Sequence, residues 1–198
     1  MSFKQERAAA HKALVNAEQL VFLTQCLLDK DLETEMIENH DLPHNKEYAI
    51  SHCYFVYQGN GPVCNAHKDL LQKIQNRDSA LYRLNSGACR IVEELLKSHE
   101  KKSAELIEYE EACNTVEKAW SEAIAKHGIL RSALDDEWAK DSTLTFDEES
   151  AIKDCSAKYG GSGSVVVANL NYRTACECHE NALKIKYRVA CLIVDHLM

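Results

Sequence analysis

Two stretches of the chain gather side chains that do chemistry. The first is "TACECHEN", Thr174 to Asn181, where Cys176, Cys178 and His179 crowd together. Thiolate and imidazole are ligands that favour zinc, and neighbouring cysteines can also act as a redox switch. On a helix, residues two apart point to different faces, so Cys176 and Cys178 do not share one metal. Cys176 and His179, three apart, can share one. They would need two more ligands, and no second close pair accompanies them in this helix. Nothing nearby predicts a depressed thiol pKa. The stretch therefore reads as packing.

The second stretch is the connection "NHDLPHNKEYAISHC", followed shortly by "CNAH". It gathers His40, Asp41, His44, His52, Cys53, Cys64 and His67. Cys64 and His67 are spaced to chelate from one helical turn. The remaining spacings follow no regular zinc pattern. Two readings stand at this stage. One is a metal-dependent hydrolase built on His40, Asp41, His44, His52, Cys64 and His67. The other is loop histidines beside buried thiols, and it is preferred, so no metal or cofactor is expected. His40-Asp41 is also the pair that helical metal-dependent phosphohydrolases combine with an upstream His and a distant Asp. His11 and Asp136 or Asp195 are available for those roles. Here "EMIEN" precedes the pair, in place of the apolar helix that buries it in such enzymes, and no membership follows.

Other catalytic signatures are missing. No Glu-x-x-His pair suggests a di-iron bundle, and no Gly-x-Ser-x-Gly elbow occurs. "KYGGSGSV" could offer backbone N–H groups to an anion at a helix start. It lacks the Lys-Ser/Thr end of a phosphate loop, and reads as a linker.

The elements that must position these residues are helical. The chain has 198 residues, of which 45% are hydrophobic and 27% charged, as in a folded domain. Only 7 Gly and 2 Pro interrupt it, so helix breakers are scarce. Phe3 to Asn39 reads as a helix with Leu14, Val21 and Leu28 on one face and Ala10 and Ala17 interleaved. Residues 44–57 are apolar nearly all round and fit either a helix or a strand. Asn60-Gly61 marks a turn, and Pro62 opens the next helix.

From Val63 to Lys140 the 3-4 spacing of apolar residues slips phase in "KSHEKKSAE". Either one long helix carries a discontinuity there, or two helices turn back on each other; the hairpin is preferred. Leu84, Ile91, Leu106, Val116, Trp120, Leu130 and Leu134 are the expected buried positions. Thr145 with Glu148 forms a capping box for a short helix, which Gly160 ends. A flexible joint is expected at 160–164, with a last helix from about Ser164 to the end. No internal repeat is read along the chain.

The formal net charge of −8 and the lack of a long Lys/Arg run argue against nucleic acid as the main ligand. No apolar run approaches the roughly 20 residues of a membrane span. Charges scattered through the first twenty residues do not resemble a secretory signal. Nine scattered cysteines, an odd number, suit a reducing cytoplasm.

The expected fold is all-α: one elongated helical bundle over residues 1–198, with long amphipathic helices that include a helical hairpin or coiled coil. The expected function is non-catalytic binding of another protein, as adaptor, inhibitor or regulator. The metal-dependent hydrolase is the alternative, and small-ligand binding inside the bundle is a third class.

Overall fold

A computed structural model describes residues 3–39, 42–43, 45–98 and 103–197 of the chain. The regular structure among them is entirely helical. Helix α1 spans Phe3–Glu38, α2 Lys46–Val56, α3 Pro62–Ser98, α4 Ala104–Lys140, α5 Glu148–Tyr159 and α6 Ser164–Leu197. A 3-10 turn, Gly160–Ser162, joins the last two. The all-α class is therefore as expected.

Local signals explain where the helices start and stop. Residues 44–57, ambiguous in the sequence, contain helix α2. The Asn45 side-chain oxygen accepts from the backbone N–H groups of Glu47 and Tyr48 (3.0 and 3.2 Å), which closes the helix entrance. Pro62 opens α3. Residues 63–140 form two helices, with α4 begun by Ser103, whose hydroxyl accepts from Leu106 N–H. The cap of α5 is Asp147, which accepts from Ser150 N–H, rather than Thr145. The Thr145 carbonyl instead accepts from the Trp138 indole N–H at 2.9 Å, and the helix begins only at Glu148.

The described residues group into two compact units, one up to Ile91 and the other from Val92 to Leu197. The chain contains an internal repeat, where the sequence analysis read none. Residues 102 apart correspond, giving long–short–long helices twice. Between Leu28–Leu70 and Leu130–Tyr172, thirteen of 43 positions are identical without a gap, and most of these are core positions. Leu28, Leu32, Leu42, Ala49, Cys53 and Val63 form one buried cluster, and Leu130, Leu134, Leu144, Ala151, Cys155 and Val165 form its counterpart. The caps Asn45 and Asp147 correspond as well. So do two ion pairs with their charges exchanged: Asp29 with Lys46, and Arg131 with Glu148. A further run, Ala80–Leu95 against Ala182–Leu197, matches at seven of sixteen positions.

In the second unit α4 and α6 run antiparallel in close contact. Tyr109 lies near Lys186, Trp120 against His179, and His127 against Tyr172, so one number rises as the other falls. Buried Ala112, Ala123, Ala175 and Ala182 let the two backbones approach. Leu84, Leu106, Leu130 and Leu134 are buried as expected, and Ile91 and Val116 are half-buried. Trp120 is not buried: it is 53% exposed. An alanine seam has no room for an indole. The ring rides on its flank, 5.0 Å from the His179 ring.

Trp120→Ala should therefore cost about 1 kcal/mol, the scale of a surface aromatic pair. Leu130→Ala should cost about 2–5 kcal/mol. Urea unfolding of the two variants checks the order.

Candidate functional site

The repeat places the same polar constellation at the bend of each unit. Glu35, near the end of α1, accepts a hydrogen bond from the Tyr57 hydroxyl. Glu137, near the end of α4, accepts one from Tyr159 at 2.9 Å. Both carboxylate residues are buried, so each needs such a partner. The tyrosine begins a Tyr-x-Gly-x-Gly sequence in both units, "YQGNG" and "YGGSG". A Cβ on Gly61 would come within 2.8 Å of the Tyr57 ring, and one on Gly163 within 2.9 Å of Tyr159 Cβ. The second glycine is there because the tyrosine folds over it.

The electrostatics of the bends point to structure rather than chemistry. The Tyr57 hydroxyl pKa is pushed up to about 12, first by its bond to the Glu35 carboxylate. Burial pushes up the Cys53 and Cys155 thiols, and the nearby Glu35 and Glu137 charges add to the effect. Such thiols stay protonated and unreactive. In the second unit, Lys140 and the Tyr159 hydroxyl hold Glu137 below the usual carboxylate range. Lys158, 2.8 Å from Asp141, together with Thr143, holds Asp141 well below it.

The histidine-rich connection is not gathered into a site among the described residues. His40, Asp41 and His44 lie outside them. His52 is half-buried on α2. Cys64 is fully buried in the apolar core, and its carbonyl accepts from the Tyr54 hydroxyl at 3.2 Å. His67 Nδ1 lies 3.3 Å from the same hydroxyl, with the two rings edge to face. No group of three His, Cys, Asp or Glu side chains among the described residues could hold a metal ion. His11, Asp136 and Asp195 are exposed, and the two aspartates lie at opposite ends of the antiparallel α4/α6 pair.

"TACECHEN" divides among three surroundings. Cys176 is half-buried and hydrogen-bonded to Tyr172, whose hydroxyl pKa it raises. Cys178 is exposed. His179 is taken up by Trp120. "KYGGSGSV" supplies the tyrosine and glycine of the second bend and the start of α6.

A surface feature that the sequence reading missed lies on α1. Ala9, Ala13, Asn16, Leu20, Leu23 and Leu27 succeed one another at steps of four and three, and all are exposed. The three leucines are 49%, 58% and 57% exposed. The stripe adjoins the residues facing the core and borders a groove of about 610 Å³ between α1 and α3. Asn76, Ser79, Ala80 and Arg83 line its other wall. The corresponding stripe on α4 is Glu111, Thr115, Lys118, Glu122, Ala125 and Ile129, also exposed but mostly polar. The fold thus does not require leucines at these positions.

Gly61→Ala should lower Tm, because the methyl collides with the Tyr57 ring. Gly87→Ala in α3, where an added methyl meets nothing within 4 Å, should raise stability by roughly 0.5–1 kcal/mol. Thermal melts of both variants test this contrast. The depressed Asp141 pKa stabilises the fold fully above the ordinary aspartate value of 3.8, and that contribution fades as pH falls below it. Asp141→Asn should thus be less stable than wild type at neutral pH, by a margin that shrinks steadily in acid; urea midpoints at neutral and acidic pH measure it. No protein-family model matches the chain, and no curated protein or solved structure matches it.

Proposed function

We propose that the chain is a non-catalytic helical module that binds another protein through the exposed leucine stripe of α1, as an adaptor, inhibitor or regulator. The observation that carries this reading is the contrast between the repeats. On this solvent-facing stripe α1 carries Leu20 and Leu23 where α4 carries the charged Glu122 and the small Ala125, and only Leu27 and Ile129 are alike. Exposed apolar residues scattered singly need no explanation, but a contiguous row is characteristic of interaction surfaces. Steps of four and three present such a row to an incoming helix, as in coiled coils and helix-in-groove complexes. The groove beside α1 gives that helix a second wall.

Leu20→Glu combined with Leu23→Glu tests the reading. Both sites are exposed, so the double variant should keep the helical circular dichroism and the melting temperature of wild type. Proximity labelling in the source cell should recover a protein neighbour, an untagged second copy of this chain included, with wild type and lose it with the variant. Equal recovery from both would refute the assignment of α1.

A further inference from the structure

The charges beside the stripe bear on what covers it. Lys12, Gln19, Cys26 and Glu33 follow one another seven residues apart along one edge, and all four are exposed. Lys12 and Glu33 carry opposite charges, and neither has an ion-pair partner within the chain among the described residues. We propose that the occupant of the stripe is α1 of a second copy of this chain, packed antiparallel, so that the protein self-associates as a two-fold dimer. The inference rests on the reading of the stripe as a protein-binding face.

The spacing fixes the arrangement. With the two helices centred near Phe22 and Leu23, Leu20 of each copy meets Leu23 of the other, and four leucines form the middle of the seam. Lys12 of each copy then faces Glu33 of the other, twice by symmetry, at the two ends of a contact about 32 Å long. Gln19 faces Cys26 of the other copy. Leu27 meets Asn16, whose amide marks one register at the edge of the apolar layer, as single polar residues do in coiled coils. A parallel pairing brings Glu33 beside Glu38 of the other copy and leaves Lys12 opposite Ala17, so the charges favour the antiparallel order. On α4 the matching edge is Asn114, Ser121, Gly128 and Asp135, and Glu122 and Ala125 replace Leu20 and Leu23, so self-pairing is a property of the first repeat alone.

Sedimentation equilibrium of the full chain in reducing buffer should show a mass rising with concentration from 22.4 kDa toward twice that value. Leu23→Glu should stay at the monomer mass with an unchanged circular dichroism melt. Lys12→Glu should weaken the dimer about tenfold, and Lys12→Glu combined with Glu33→Lys should restore it. Gln19→Cys, oxidised mildly and mapped by mass spectrometry, should cross-link position 19 of one copy to Cys26 of the other. A cross-link joining Cys26 to Cys26 would overturn the antiparallel order. Wild type that remains monomeric at every concentration would overturn self-pairing. In that event the leucine double variant separates the two ideas: loss of a labelled neighbour keeps the protein-binding reading, and unchanged labelling removes both.

Discussion

The hydrogen bond from a tyrosine hydroxyl to a buried glutamate, made across a glycine, holds each unit together. A long helix that ends beside a short one leaves a carboxylate near the core, and burying that charge without a partner is costly. Tyr57 and Tyr159 supply the partner for Glu35 and Glu137. To reach it, each ring lies over the chain four residues later, where Gly61 and Gly163 leave room. The bond therefore sets the path of the connection, the seating of the short helix and the starting point of the next long helix. Leu28, Ala49, Cys53 and Val63, with their counterparts in the second unit, fill the space that this geometry encloses.

The two units diverge away from the bend. In the second, alanines at the contact let α4 and α6 run close, and larger side chains are displaced to the flank, where Trp120 meets His179 and His127 meets Tyr172. In the first, Lys73 stands where α6 has Ala175, half-buried and paired with Asp69 at 3.1 Å. The Cα atoms of α1 and α3 scarcely come within 8 Å of each other, and a groove remains between them. One plan thus yields a zipped helix pair and an open one.

That divergence gives the functional argument its control. Two surfaces with the same place in the repeated unit face the same solvent, yet one carries Leu20, Leu23 and Leu27 and the other Glu122, Ala125 and Ile129. The difference lies at the first two positions, where Leu20 answers a charged Glu122 and Leu23 a small Ala125, whereas Leu27 and Ile129 are alike. The buried Cys64 stands among apolar neighbours, and the half-buried His67 and Cys176 meet Tyr54 and Tyr172.

The sequence by itself determined the helical class, because scarce glycine and proline and repeated 3-4 spacing act locally. It also determined much of where the helices run: Pro62 opens α3 and Ser164 opens α6. The different faces of Cys176 and Cys178 followed from helical geometry alone. The repeat was present in the sequence, but its identities are sparse and concentrated at core positions, so composition and periodicity passed over it. Tertiary structure decided the rest. Asp147 took the cap while the Thr145 hydroxyl turned to Asp154 and its carbonyl to Trp138, and Trp120 lies on the flank of a seam lined by alanines. Helix α1 carries two apolar rows. Only the packing of α2 and α3 against one of them reveals that the other, with Leu20, Leu23 and Leu27, is left to solvent: periodicity identifies an apolar face, but only the neighbouring elements determine whether it is covered.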